Sequence, residues 1–215
     1  MKTKFILITM LLCIFSSFAE AQKDAKAREL LDKTAAIIDN EKGVEIKFDI
    51  ASIVNKQQQN KIQGCISIKK NKFFLQLPSS KTWFDGKTQW TYLPENEEVN
   101  LSTPTPEELQ SINPYSFIYL YKNGYNYQYA GSKKYNGKNV SEIKLKAQSP
   151  NNTIQTVILY VNNYNYQPIY IKMEDKNKNC NTINVLSIKK DINLRDNQFV
   201  FNKAQYPNAE IIDLR

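Results

Sequence analysis

From Val44 onward the chain keeps a two-residue hydrophobic period, and that alternation limits what it can fold into. Val44, Ile46, Phe48 and Ile50 alternate with Glu45, Lys47 and Asp49. Ile62, Ile66 and Ile68 continue the pattern, then Phe73, Leu75 and Leu77, then Trp90 and Tyr92. Tyr125, Tyr127 and Tyr129, the stretch 140–145, Ile154, Ile158 and Tyr160, Ile169 and Ile171, Val185 and Ile188, and Phe199 and Phe201 follow. Successive side chains of a strand point to opposite faces, so this alternation reads as half-buried strand. The set predicts about ten short strands, with turns such as Tyr135-Asn136-Gly137-Lys138 and Asp85-Gly86-Lys87 between them. Short turns make neighbours antiparallel, and so wide a sheet is expected to curl towards a barrel.

Helical signals sit at two places. Over 24–42, Ala27, Leu30, Leu31, Thr34, Ile37 and Ile38 recur at three-and-four spacing, with Asp24 as a cap and Gly43 as the stop. One apolar stripe means that this helix packs on a sheet. Later, Thr105-Pro106-Glu107-Glu108 carries a cap, a first-position proline and acids in the first turn. Asn113-Pro114 then opens a second short helix, Tyr115 to Lys122, with no polar face. A helix apolar all round touches hydrophobic matter on more than one side. Placed over a curved sheet, it can stopper an apolar hollow.

Residues 1–21 read as a cleaved signal peptide, leaving 22–215 as one domain. Lys2 and Lys4 precede an apolar run from Phe5 to Phe18, and Ala19-Glu20-Ala21 supplies the small residues of a cleavage site before Gln22. Cys13 lies inside the apolar run behind a leucine, which argues against lipidation. Cleavage removes two lysines and one glutamate and takes the formal charge from +8 to +7. In an exported protein that balance suits anionic lipid or an acidic partner, and no nucleic acid is expected.

Composition excludes much chemistry. Among the 215 residues there is no histidine, so the common triads, His-ligated metals and the usual neutral-pH base are missing. Neither glycine-rich nucleotide motif occurs. Glu95, Glu97 and Glu98 have no partner defined across a cleft and read as a solvated loop. Cys65 has no base to activate it, and its pairing with Cys180 stays open. The chain is not expected to be an enzyme, and no cofactor or metal is implied.

One stretch carries a family likeness. Gly64-Cys65-Ile66-Ser67-Ile68-Lys69-Lys70, then Phe73-Phe74, then Trp83-Phe84-Asp85-Gly86-Lys87-Thr88-Gln89-Trp90-Thr91-Tyr92-Leu93-Pro94 resembles the periplasmic carrier proteins of outer-membrane lipoproteins (LolA-like). The resemblance implies an α+β fold, an open half-barrel of ten to eleven antiparallel strands with one long N-terminal helix and two short lid helices. It implies a monomeric periplasmic chaperone that shelters the acyl chains of lipoproteins. It also implies an inner-membrane lipoprotein-releasing transporter as donor and an outer-membrane acceptor. The acyl cavity is then expected at Phe48, Ile50, Ile66, Ile68, Phe73, Leu75, Trp83, Trp90 and Tyr92. Its mouth and lid are expected at Lys70, Phe74, Phe117, Ile118 and Leu120. Where the family carries a lid-latching arginine this chain has Lys70, which lacks the planar fork. The alternative on the same scaffold is a non-transporting lipid- or lipoprotein-binding sensor.

Energetics bound such a carrier. Each fully buried acyl chain is worth roughly 12 kcal/mol, at ~0.8 per methylene. Three chains would exceed the ~18–21 kcal/mol at which affinities saturate, and cargo would never leave. Partial burial and a lid satisfied when empty are therefore required.

Overall fold

The computed structural model describes residues 25–54, 57–59, 61–106, 108, 109, 113 and 115–215. The predicted leader lies outside the described residues. Helix α1 spans 25–38, with Ala27, Leu30, Leu31, Ala35 and Ile38 buried along one side. It ends before the predicted Lys42. Asn40 Oδ1 accepts the backbone N–H groups of Lys42 (2.8 Å) and Gly43 (3.0 Å). A side chain that takes backbone donors locally competes with the helical ladder. Gly43 then turns the chain at φ +98°, where a Cβ would stand 2.6 Å from Leu194 Cδ1. Gly43→Ala is expected to cost about 1–2 kcal/mol from backbone handedness alone. A urea midpoint equal to that of the parent would contradict the assigned turn.

Among the described residues thirteen strands form one sheet. They are β1 (Val44–Val54), β2 (Gln57–Gln58), β3 (Ile62–Lys69), β4 (Lys72–Leu77), β5 (Ser80–Phe84), β6 (Gln89–Leu93) and β7 (Glu98–Ser102). After the helical insertion come β8 (Tyr125–Tyr135), β9 (Lys138–Ala147), β10 (Ile154–Asn162), β11 (Pro168–Asp175), β12 (Cys180–Lys190) and β13 (Glu210–Asp213). The order is β13-β7-β6-β5-β4-β3-β1-β12-β11-β10-β9-β8, with β2 paired to β1 alone. Every pairing is antiparallel except β13 beside β7. Among the described residues β13 and β8 are end strands of the order, so the sheet is open.

Register fixes which residues share a face, because directly opposed residues point the same way. Val44, Ile46 and Ile50 of β1 oppose Ile68, Ile66 and Ile62 of β3, and Ile66 and Ile68 oppose Leu75 and Phe73 of β4. Val44, Ile46, Ile66, Ile68, Leu75 and Phe73 join Ile143, Leu145, Val157, Leu159, Ile171 and Ile183 in one core cluster with α1, Ile50 packs against it, and Ile62 at the strand end is exposed. We call this helix-covered side the inner face.

Phe199 and Phe201 do not form a strand. Asp196–Phe199 and Lys203–Gln205 are short 3-10 turns in a C-terminal strap, and the last strand lies further on, at Glu210–Asp213. The strap is tied to the β3–β4 hairpin. Lys69 Nζ donates to Leu194 O and Asp196 Oδ1, both at 2.9 Å, and Lys72 Nζ donates to Asp196 Oδ2 at 3.0 Å. The hydrogen bond from Lys69, joined by that from Lys72, holds the Asp196 carboxyl below its usual range. Cys65 and Cys180 are free thiols. Cys65 lies opposite Lys47, and Cys180 lies opposite Ile53 at the far end of β1. At ~3.3 Å per residue those positions are roughly 20 Å apart, beyond disulfide reach.

Candidate acyl-binding face and its lid

The expected cavity residues divide between the two faces. Phe48, Ile66, Ile68, Phe73 and Leu75 are buried in the inner-face cluster, and Ile50 packs against it. Trp83, Trp90 and Tyr92 lie on the opposite, outer face. Phe74 opposes Trp83 and Trp83 opposes Trp90, one position out of phase with Phe73 and Phe84. A period of two assigns alternate residues to opposite faces and leaves the choice of face to the register. Phe74, expected at the cavity mouth, stacks on Trp83 with ring centroids 5.0 Å apart. Phe201 and Tyr206 of the strap meet Trp83 edge-on, and Tyr206 also packs on Tyr92 at 4.6 Å. The strap thus covers an aromatic cluster on the face opposite α1.

The helical insertion starts at the Thr105 cap that its sequence predicts. Glu108 Oε2 accepts the Thr105 N–H at 2.7 Å, and the Glu108 N–H reaches Thr105 Oγ1 at 3.3 Å. This reciprocal capping starts the helix at Pro106. The second lid segment, Ser116–Lys122, is a 3-10 helix. Its Leu120 is buried in the inner-face cluster together with Tyr115 and Tyr121. The side chains of Phe117 and Ile118 lie outside the described residues.

Tyr115 sits deepest. It is 0% exposed, and its ring meets Phe48 edge-on at 6.1 Å. Phe48 has room because Gly64 stands opposite; a Cβ there would lie 2.5 Å from the Phe48 ring. Among the described residues the buried Tyr115 hydroxyl has no hydrogen-bond partner. Burial pushes its pKa well above the ordinary value.

Tyr121 ties the 3-10 segment to α1, its hydroxyl donating to Asp32 Oδ1 at 2.5 Å. Burial and that bond raise its pKa, while burial and the charge of Asp39 push Tyr119 up to about 12. All three hydroxyls therefore stay protonated at neutral pH. Lys70 adopts φ +55° in the β3–β4 turn and pairs with Glu41 at 3.4 Å, both groups exposed. Such a pair contributes ~0–1 kcal/mol. Lys70 also lines a cavity of about 600 Å³ with Asp39, Asn113 and Tyr119, beside the lid.

An open, mostly antiparallel sheet with one helix on its inner face and short helical segments completing the cover defines a mostly β class of protein. The family model described as outer membrane lipoprotein carrier protein LolA matches residues 15–177. The chain belongs to that LolA-like family. No curated protein matches it significantly in sequence. Among solved structures it is similar to a conserved uncharacterised protein of Thermus thermophilus, with 13% identity over 87% of this chain and 99% of that one and a TM-score of 0.59. It is also similar to a DUF1329 family protein of Desulfovibrio piger, with 10% identity over 83% and 97% and a TM-score of 0.52. A LolA superfamily protein of Nitrosomonas europaea aligns at 15% identity over 81% and 97%, with a TM-score of 0.46. Among the described residues no helix is long and apolar enough to cross a membrane.

Proposed function

We propose that the chain is a periplasmic carrier that takes the acyl chains of lipoproteins onto its inner face and hands them on towards the outer membrane. The observation that carries this reading is the lid. Tyr115 and Leu120, from a short 3-10 segment and its start, occupy the apolar face that α1 and the sheet enclose. A segment of that length is cheap to displace compared with a strand or a long helix. In the empty protein it would fill the space that acyl chains take when it swings aside. The inner-face residues Phe48, Ile50, Ile66, Ile68, Phe73 and Leu75 would then form the acyl site, and the bowed, half-barrel shape of the family would deepen it. Membership of the carrier family supports the same assignment. Donor and acceptor would be an inner-membrane releasing complex and an outer-membrane receptor.

The test uses an environment-sensitive apolar dye and a diacylated lipopeptide. The mature protein should bind the dye weakly and release it when the lipopeptide is added. Leu120→Ser should strengthen dye binding by up to ~30–150-fold, because the closed state loses about 2–3 kcal/mol of apolar packing. Dye that never leaves on addition of lipopeptide would sink the proposal.

A further inference from the structure

The inner face changes chemistry part-way across the sheet. Along one row Ile46, Ile66 and Leu75 are followed by Thr82, Thr91 and Asn100. Along the next, Ile68, Phe73 and Phe84 are followed by Gln89 and Ser102. Thr82 and Gln89 are 5% and 8% exposed, while Thr91, Asn100 and Ser102 are half-buried. The Thr82 and Thr91 hydroxyls lie 3.3 Å apart, and Gln89 Nε2 lies 3.3 Å from Thr91 Oγ1. Among the described residues the buried Gln89 Oε1 has no partner. A fold that only needed packing here would gain by an apolar residue, because an unpaired buried amide oxygen is costly. The strip also sits at the root of the lid: β7 ends at Ser102, opposite Gln89, and the cap Thr105 follows.

We propose that Thr82, Gln89 and Thr91, flanked by Asn100 and Ser102, form a subsite for the neutral, hydrogen-bonding head of an amphiphile whose tails lie on the Ile66–Leu75 part of the face. This rests on the carrier reading above and names the part of the cargo it leaves open. Gln89 Oε1 accepts an amide N–H or a hydroxyl of the head, and the Thr91 hydroxyl and Asn100 amide complete the contacts. None of the five side chains is charged, so the strip favours an uncharged amide or hydroxyl head over a phosphate. The apolar-to-polar boundary gives the ligand one orientation, head towards β6 and β7.

The experiment compares two displacers of the same apolar dye. One is a dipalmitoyl lipopeptide; the other is methyl palmitate, which has no hydrogen-bond donor. Gln89→Leu and Thr91→Val should weaken the lipopeptide about tenfold, one hydrogen bond's worth, and leave methyl palmitate within about twofold. Thr91→Ser should restore lipopeptide affinity. The Gln89→Leu protein should melt at the parent temperature or above it, which a merely structural glutamine would not allow. Equal weakening of both ligands, or of neither, overturns the subsite. A parent protein that binds neither ligand overturns the carrier reading and the subsite with it.

Discussion

Trp83→Ala is expected to destabilise the protein by about 3–5 kcal/mol while leaving lipopeptide binding unchanged, as long as the protein is folded. The indole is 6% exposed. It stacks on Phe74 and receives the edges of Phe201 and Tyr206, while Lys81 stands over the Tyr206 ring at 5.3 Å. Truncation opens a hole under a strap held otherwise by Lys69, Lys72 and their partners, so little collapse can fill it. For a chain of this size the loss corresponds to a fall in melting temperature of roughly 6–20 °C. Every contact named here is on the outer face. Dye displacement by lipopeptide, measured well below the melting temperature, should therefore match the parent. A variant that is stable but deaf to lipopeptide would mean that cargo binds the outer side of the sheet.

Tyr115→Phe should do the opposite. The ring keeps its edge-on contact with Phe48, and the only group lost is a hydroxyl that is buried with no partner among the described residues. Relief of that desolvation should stabilise the closed, empty protein by about 1–3 kcal/mol. The melting temperature should rise by roughly 2–12 °C. Cargo must then displace a firmer lid, so dye and lipopeptide affinities should fall by ~5–150-fold, the same free energy read at another site. The unpaired hydroxyl would thus be a spring that keeps the lid from closing too well. A lower melting temperature in Tyr115→Phe would show that the closed state satisfies the hydroxyl.

Much of this architecture was legible in the alternation of residues. The α1 stripe, the Thr105–Glu108 cap and the Asn136-Gly137 turn all declare themselves locally. So do strands such as β1, β3 and β4, whose apolar sides all meet the helix. The strands β5 and β7 were not legible, and the reason is the same one that sets Trp83, Trp90 and Tyr92 on the face opposite Phe48 and Ile66. Between β4 and β6 the apolar side passes from the inner to the outer face: Leu75 looks inward, whereas Trp90, Tyr92 and Val99 share the outer face with Trp83. Alternation carries no mark of which face it serves. The cover for the outer face arrives more than a hundred residues later in the strap, with Phe201 and Tyr206. Their two-residue spacing in Phe199 and Phe201 imitates a strand, because an extended strap also points alternate side chains to opposite sides. The orphaned groups on Tyr115 and Gln89 are invisible in sequence, since both residue types usually find partners and only the packing shows that these do not.

The most direct measurement of where cargo sits is photolabelling with a lipopeptide that carries a diazirine at the end of one acyl chain, followed by mass-spectrometric mapping of the labelled peptides. Label is expected on inner-face segments, within residues 44–50, 62–77 and 143–161, at levels that unlabelled lipopeptide competes away. Label concentrated on the strap, residues 195–206, or spread without competition over the whole surface, would contradict binding on the inner face.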